Sequence, residues 1–313
     1  MTGGEGGEGV GGAGRIVLTG ATGTVGSALL HALAALGHRP TALVRPGRAA
    51  AVADLADPVE VDLEEEGGSG GTGALVGALA RTRGLFLLSP FHPRQDLWQR
   101  RLVDAAADAG VEHVVRLSAL GADPESPVLI HRQHGLAERA LAERGLPYTV
   151  LRPNAFMQNA TQWLATIAAR DAVVLPAGQA RVSMIDVRDI ASAAAAVLTG
   201  PPGTGAMYDL TGPRALGYAT VAAELSAAAG REIRYQAVSP AEAAEVMLGA
   251  GVPEWAVRAR LQLYETYVAG EAEDVTASVA LLTGQAPRDF AALAAELSDR
   301  LRGTGLSATR GER

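Results

Sequence analysis

Short runs of β-branched and aliphatic residues alternate with alanine- and leucine-rich segments through the first half of the chain. Strands this apolar are expected to be buried on both faces, and their alternation with helices is typical of a parallel sheet covered by helices on both sides. We therefore predict an α/β fold with a doubly wound parallel-sheet Rossmann domain. The predicted strands cover residues 15–19, 41–45, 59–62, 84–89, 111–118 and 148–152. The helices between them cover residues 25–36, 95–109 and 128–144, and a glycine follows each one.

The second half of the chain loses this regular alternation. Met207–Leu210 is predicted to return to the sheet, and the remaining elements are predicted to be helices over residues 218–229, 241–248, 254–268 and 288–301. Ser239 and Glu242 have the spacing of a capping box, with Pro240 at the first helical position. The expected organisation is a flexible tail (1–14), a Rossmann domain (15–212) whose residues 154–186 contribute to a substrate cleft, a smaller, mainly helical C-terminal substrate-binding lobe (213–302) and a tail (303–313). The glycine-rich segment 63–73 is expected to be a mobile surface connection.

Composition excludes several classes of function. The chain has 313 residues and no cysteine, so disulfides, thiolate metal sites and cysteine nucleophiles are ruled out. Its net charge of −7 and the lack of a basic run argue against a nucleic-acid partner. No segment has the apolar length of a membrane span, and the first fourteen residues lack the pattern of a signal peptide. We expect a cytoplasmic protein with no membrane partner; the oligomeric state is not predicted.

A glycine-rich turn joins the first predicted strand to the first predicted helix. Its sequence, TGATGTVG over residues 19–26, spaces three glycines as G-x-x-G-x-x-G. Glycines allow a tight turn and a close approach to a pyrophosphate, while the helix N-terminus offers free N–H groups and a positive dipole end. The position at the start of a βαβ unit favours a dinucleotide site over an ordinary turn. The turn residues predicted to contact this cofactor are Gly20, Thr22, Gly23, Thr24, Val25 and Gly26.

The end of the second strand indicates which dinucleotide is preferred. Arg45 stands where NAD-binding proteins carry an acidic residue, and Arg48 follows closely. Guanidinium groups suit a phosphate dianion, so NADPH is the predicted cofactor, although both arginines could instead be solvated surface residues. Asp62 is placed to face the adenine, or it is a plain turn aspartate. Other predicted cofactor contacts lie at or near strand ends: Leu63, Leu88, Ser89, Ser118 and Pro153, together with His134.

Several motifs together resemble the NmrA-like branch of the atypical short-chain dehydrogenases/reductases. Besides the glycine turn and Val44-Arg45, they are LSALGA (117–122), His134-x-x-x-Glu138, GLPYTVLRPNAFMQN (145–159) and IDVRDIA (185–191). The resemblance runs from about Arg15 to about Leu301, with the motifs in the family's order. It implies an NADP-binding fold. Such families contain NADPH-dependent quinone and azo-dye reductases, isoflavone-type reductases, tailoring enzymes of aromatic natural products, and sensors that bind the cofactor without chemistry.

Candidate catalytic residues follow from what is missing. The Tyr-x-x-x-Lys pattern of ordinary short-chain dehydrogenases does not occur. By the resemblance, His134 falls where isoflavone-type reductases carry lysine, and Ile130 falls at the tyrosine position. Glu138 is one helical turn beyond His134, so we expect it to orient the histidine and raise its pKa, which would make His134 a proton donor. The alternative is a helix-surface pair of little consequence. No metal site is predicted.

The absence of the tyrosine favours a delocalised hydride acceptor. An aliphatic ketone becomes an alkoxide that needs a strong acid, whereas a quinone spreads the incoming charge over its ring. The segment after the sixth strand supplies the predicted substrate contacts Asn154, Phe156, Met157 and Asn159, which could instead serve packing and capping. Trp255, Tyr264 and Tyr267 are expected mainly in the core of the C-terminal lobe. Asp186 and Asp189 are expected to cap a helix.

These observations lead to one functional hypothesis and two alternatives. The hypothesis is an NADPH-dependent reductase that transfers hydride to a quinone or related small aromatic molecule, possibly in natural-product tailoring, with His134 as proton donor. One alternative is a non-catalytic NADP(H)-binding redox sensor or regulator. The other is a reductase of an aromatic ketone or a conjugated double bond.

Overall fold

A computed structural model describes residues 14–65, 68, 71–203 and 205–303. The two predicted tails lie outside the described residues, apart from Gly14 and Gly303, and so do four positions of the glycine-rich segment 63–73.

Seven strands form one fully parallel sheet in the order β3-β2-β1-β4-β5-β6-β9. This order places β1 at the centre and reverses direction between β1 and β4, where doubly wound sheets bind their ligands. The α/β fold class predicted from the alternation is confirmed. The strands are β1 (Arg15–Thr19), β2 (Thr41–Val44), β3 (Asp57–Glu60), β4 (Thr82–Leu87), β5 (His113–Leu117), β6 (Tyr148–Pro153) and β9 (Ala206–Leu210). Four further strands lie outside this sheet: β7 (Ala172–Leu175), β8 (Arg181–Val182), β10 (Leu216–Gly217) and β11 (Arg234–Ala237).

Helices cover both faces of the main sheet. On one face, α1 and α6 pack together over a core that includes Leu29, Phe86 and Ile190. On the other face, α2, α3 and α4 enclose a second core around Leu85, Leu102 and others. These helices are α1 (Thr24–Ala35), α2 (Thr72–Leu79), α3 (Gln95–Asp108), α4 (Leu129–Glu143) and α6 (Val187–Thr199).

The C-terminal region is mainly helical and has its own core. Phe290, Leu225 and Ile167 are completely or almost completely buried there, where β7 pairs with β11 and β8 with β10. The capping box predicted at Ser239 is present, with Pro240 in the first turn. Its helices are α7 (Tyr218–Ala229), α8 (Pro240–Gly249), α9 (Glu254–Val268), α10 (Ser278–Thr283), α11 (Phe290–Glu296) and α12 (Ser298–Gly303), with α5 (Leu164–Arg170) packing nearby.

Three predicted elements differ from the structure. The helix predicted over 288–301 is two helices, because the N–H of Leu297 is shared between two carbonyls at the end of α11. The third strand lies two residues before its predicted position, since β3 is a largely exposed edge strand and carries a weak burial pattern. The segment predicted as a loop over 63–73 ends inside α2, which begins at Thr72.

Two ion pairs at the start of α6 support the region behind the sheet edge. The completely buried carboxylate of Asp186 caps α6 and pairs with Arg188 at 2.6 Å. Asp189 accepts the backbone N–H of Arg288 at 2.7 Å and also pairs with its guanidinium, which ties the C-terminal region to the sheet domain. The capping role predicted for Asp186 is confirmed.

Candidate active site

Two adjoining cavities lie at the carboxyl ends of the central strands. The first, of about 450 Å³, is enclosed by the turn after β1 and the ends of β2, β3 and β4. The second, of about 460 Å³, is enclosed by the ends of β4, β5 and β6 and by the C-terminal half of α9. Leu88, Ser89 and Phe91 line both, so a single elongated ligand can extend from one cavity into the other.

The glycine turn between β1 and α1 separates the two cavities. Gly20 adopts a φ of +68°, a left-handed conformation that favours glycine. A Cβ on Gly26 would lie 2.1 Å from the Gly20 carbonyl oxygen, so only glycine lets α1 approach the turn this closely. The α1 N-cap, Gly23, has no side-chain cap, which leaves the first N–H groups of the helix available to an anion. Thr19 fixes the turn to β4, because its hydroxyl donates to the Leu88 carbonyl at 2.7 Å.

These features fit a dinucleotide that carries an additional phosphate. Arg45 and Arg48 both line the first cavity, and within the described part of the chain neither forms an ion pair. Asp62 also lines the cavity, where its carboxylate accepts the N–H of Glu64 at 2.8 Å in the manner of a turn aspartate. The residues that would hold the adenosine end of NADPH are therefore in place around an uncapped helix N-terminus.

Most predicted cofactor residues line one of the cavities. Those in the first cavity are Gly20, Thr22, Gly23, Arg45, Arg48, Asp62 and Leu63, and those in the second are Thr24, Val25, Ser118, His134 and Pro153. Leu88 and Ser89 line both. Gly26 lines neither, since its contribution is the close approach of α1 to the turn.

His134 lines the second cavity and is held from behind by Arg116. Both terminal guanidinium nitrogens of Arg116 lie 3.2–3.3 Å from Nδ1 of His134, so Nδ1 accepts and the ring's proton stands on Nε2. Burial and the positive charge of Arg116 hold the pKa of His134 well below its usual value. The expectation that His134 has a raised pKa is therefore wrong, and at neutral pH the ring is an uncharged hydrogen-bond donor.

Arg116 belongs to a buried hydrogen-bond chain that sequence reasoning missed. It is completely buried in β5 and donates to Oε1 of Gln99 at 2.5 Å. Gln99 in turn donates to the hydroxyl of Ser89 at 2.7 Å, which links this chain to the place where the two cavities meet. Burial lowers the pKa of Arg116 to about 10, so the guanidinium stays charged at neutral pH. A charged residue inside the apolar strand sequence HVVRL was the available signal.

Glu138 is not the partner of His134. Its carboxylate pairs with Arg152, whose Nε donates at 3.0 Å, and accepts the hydroxyl of Ser118. The one-turn spacing places both residues on α4, but the arginine at the end of β6 attracts the carboxylate more strongly than a neutral imidazole could. Glu138 does not line either cavity, and its effect on the site is to hold Ser118 in place at the end of β5.

The four predicted substrate residues divide into two pairs. Phe156 and Asn159 line the second cavity and are partly exposed. Met157 is 1% exposed in the core of the C-terminal region, so its predicted substrate contact is wrong. Asn154 reaches the cavity wall, but its side chain is fully used within the protein: it donates to Ser183 at 2.8 Å and to Ala272 at 2.9 Å.

The C-terminal region closes the second cavity with residues that sequence reasoning mostly missed. Leu263, Thr266 and Tyr267 of α9 form this wall, with Glu271 just beyond the helix. Tyr267 also packs against Tyr264 at a ring distance of 5.8 Å, so this tyrosine both fills the core and lines the cleft.

An aromatic contact bridges the mouth of the two cavities. Phe91, in the connection after β4, lies 5.1 Å from the ring of Trp255 at the start of α9. The neighbouring His92 stacks on Trp98 with ring centres 4.5 Å apart. These rings cover the region where the cavities join and limit its access to water.

Other kinds of site were also examined by geometry. Among the described residues, no group of three or more acidic or histidine side chains is arranged to hold a metal ion. Within the same residues, no helix has the length and apolarity required to cross a membrane.

The fold and the joined cavities define an α/β protein suited to a dinucleotide and a second, flat ligand. The sequence model of the NmrA-like family matches residues 12–283, and the chain belongs to that family. The resemblance predicted from the motifs is confirmed.

Individual relatives agree with this assignment. The chain is 36% identical over 293 residues to the NAD(P)H azoreductase of Xenophilus azovorans, covering 89% of this chain and 96% of that protein. It is 34% identical over 284 residues to a (4-alkanoyl-5-oxo-2,5-dihydrofuran-3-yl)methyl phosphate reductase of Streptomyces griseus, covering 90% and 97%. The structure of the Escherichia coli NADPH-dependent quinone oxidoreductase QOR2 in complex with NADPH superposes with a TM-score of 0.81 at 26% identity, covering 90% and 99%.

Proposed function

We propose that this protein transfers a hydride from NADPH to a quinone or a related delocalised aromatic acceptor. It is an NAD(P)H-dependent oxidoreductase, as are the relatives that match nearly its whole length, and the similar quinone oxidoreductase was solved with NADPH bound. The observation that carries the choice of acceptor is the neutral His134, because a site without an acidic proton donor suits an acceptor that delocalises charge.

The cavities suggest how the cofactor is held. Arg45 and Arg48 would contact the additional phosphate, and the free N–H groups at the start of α1 would bind the pyrophosphate. The nicotinamide end would then enter the second cavity beside Ser118 and His134. When bound, NADPH supplies the hydride and the protein supplies the position of the acceptor.

The second cavity suits a flat, weakly polar molecule. Its walls carry Phe156, Leu263 and Tyr267, while Asn159 offers an amide that is only weakly engaged, at 3.3 Å from Gln162. Apolar walls with a few polar groups are typical of sites for small aromatic ligands.

His134 would stabilise the reduced acceptor by donating a hydrogen bond from Nε2. Because Arg116 holds Nδ1, the ring cannot turn to present the other nitrogen without losing two contacts of 3.2–3.3 Å. A hydroquinone anion requires no stronger acid than water, so this hydrogen bond is sufficient for a quinone and insufficient for an aliphatic alkoxide.

Anaerobic consumption of NADPH tests the proposal. The purified protein is given a panel of quinones, aromatic ketones and enones, and the products are identified. We expect one hydroquinone for each NADPH oxidised, with a lower kcat for His134→Ala. Reduction of ketones or enones alone would transfer the assignment to those substrates. Tight binding of NADPH without turnover on any acceptor would favour a redox sensor instead.

A further inference from the structure

We propose that the second cavity selects acceptors that carry a positive charge, such as aromatic iminium or arylmethyl cations, and that Glu271 is the residue that recognises this charge. The inference rests on the proposed hydride transfer and names the class of acceptor within it. It combines the charge of the cavity walls, the way Glu271 is held and the lack of an acidic proton donor.

Glu271 is the one Asp, Glu, Lys or Arg side chain among the described residues that line the second cavity. The two histidines of the wall, His131 and His134, both have lowered pKa values because they are buried, so they are neutral at neutral pH. Arg116 is charged, but it is completely buried behind the His134 ring and does not line the cavity. The surface that meets the acceptor is therefore negative.

The backbone holds Glu271 in a fixed position beside the cavity. Its N–H donates to the Thr266 carbonyl at 3.0 Å and so closes the end of α9. The next residue, Ala272, accepts hydrogen bonds from the side chain of Asn154 at 2.9 Å and from the N–H of Ser183 at 3.0 Å. Asn154 thus joins the end of β6 to the segment that carries Glu271, which explains why its amide faces this wall.

The Glu271 carboxylate is available to a ligand. Within the described residues it has no hydrogen-bond or ion-pair partner, whereas Glu273, two positions on, lies 4.0 Å from Arg181. The carboxylate is close enough to His131 to act on that ring's pKa in the raising direction, although burial outweighs the effect. Since His131 is a wall residue, the charge of Glu271 acts on the cavity interior.

The chemistry of a cationic acceptor matches the rest of the site. The hydride adds to the electron-poor carbon of the cation, one C–H bond forms, NADPH becomes NADP⁺ and the product is neutral. No proton is required, so a neutral His134 is no handicap in this reaction. The aromatic rings of Phe156 and Tyr267 in the same wall present faces that also attract a flat cation.

A matched pair of ligands tests the inference without turnover. N-methylacridinium and acridine share one ring system, and at mildly alkaline pH only the first is charged. Their dissociation constants are measured by fluorescence titration of the protein loaded with tetrahydro-NADP, a reduced cofactor form that cannot transfer hydride. We expect the cation to bind about tenfold more tightly than the neutral ring, the effect of one partly screened charge pair.

Variants assign this preference to one side chain. In Glu271→Gln the preference should fall to about twofold or less, through weaker binding of the cation and unchanged binding of acridine. Glu273→Gln removes a nearby charge outside the cavity and should preserve the preference. Equal binding of the two ligands by the wild type, or equal effects of the two variants, would overturn the inference.

A separate arm distinguishes this inference from the proposed function. With NADPH, the wild type should convert N-methylacridinium to the neutral dihydroacridine, and Glu271→Gln should raise its KM while the KM of a neutral quinone stays the same. Reduction of quinones without any charge preference would overturn only the role of Glu271. Charge-selective binding without reduction of any acceptor would overturn the proposed hydride transfer instead.

Discussion

Replacement of Gly26 by alanine tests whether the close approach of α1 to the glycine turn builds the cofactor site. The new Cβ would lie 2.1 Å from the Gly20 carbonyl oxygen and 2.7 Å from Cα of Ala21. Ordinary contact begins at 3.4 Å, so the first distance is short by 3.4 − 2.1 = 1.3 Å. Both neighbours are backbone atoms, which cannot rotate away, so α1 or the turn must move.

The expected cost can be worked out from two opposing effects. Overpacking of this kind costs about 3 kcal/mol at the upper end of its usual range. Alanine is a better helix former than glycine by about 1 kcal/mol, which offsets part of that cost. We therefore expect Gly26→Ala to lower the free energy of unfolding by about 2 kcal/mol and to weaken NADPH binding by about tenfold, because the N–H groups at the helix start are displaced.

Urea unfolding and a fluorescence titration with NADPH measure the two effects. Gly77→Ala is the matched control: Gly77 lies in α2, nothing is within 4 Å of its added Cβ, and the change should stabilise the protein by about 0.5–1 kcal/mol. If Gly26→Ala unfolds within about 0.5 kcal/mol of the wild type and binds NADPH equally well, the steric reasoning is wrong.

Three further predictions follow from charged and titrating groups. Arg45→Ala should lower the preference for NADPH over NADH by about tenfold in dissociation constants, and an unchanged ratio would contradict the phosphate-binding role. Arg116→Met should raise the pKa of His134, because a positive charge next to the ring is lost; a histidine NMR titration that does not move would contradict this. Burial lowers the pKa of His113, His131 and His134, so unfolding takes up protons below about pH 6.5 and stability should fall there. Equal free energies of unfolding at mildly alkaline and mildly acidic pH would refute that dependence.

The fold was largely predictable because its signals are local. Each buried strand of the main sheet is a short apolar run, and the glycine turn follows the first of them directly. The edge strand β3 was placed less well, because its residues are exposed and lack that pattern. The break between α11 and α12 depends on how Leu297 hydrogen-bonds, which periodicity does not report.

The chemistry of the site was less predictable because it depends on contacts between distant residues. Helical spacing placed Glu138 beside His134, but it could not reveal that Arg152 on β6 binds the carboxylate. In the same way, Arg116 reaches His134 from the middle of β5, eighteen positions earlier in the chain. Glu271 comes to the cavity only because the end of α9 folds back over the sheet edge.

A crystal structure with NADP⁺ would test the central claim that the two cavities form one cofactor and substrate site. We expect the additional phosphate between Arg45 and Arg48, the pyrophosphate at the start of α1, and the nicotinamide ring in the second cavity beside Ser118 and His134, with one face open to Asn159. A nicotinamide that lies outside the second cavity, or turns away from His134, would contradict the proposed hydride transfer in this cleft.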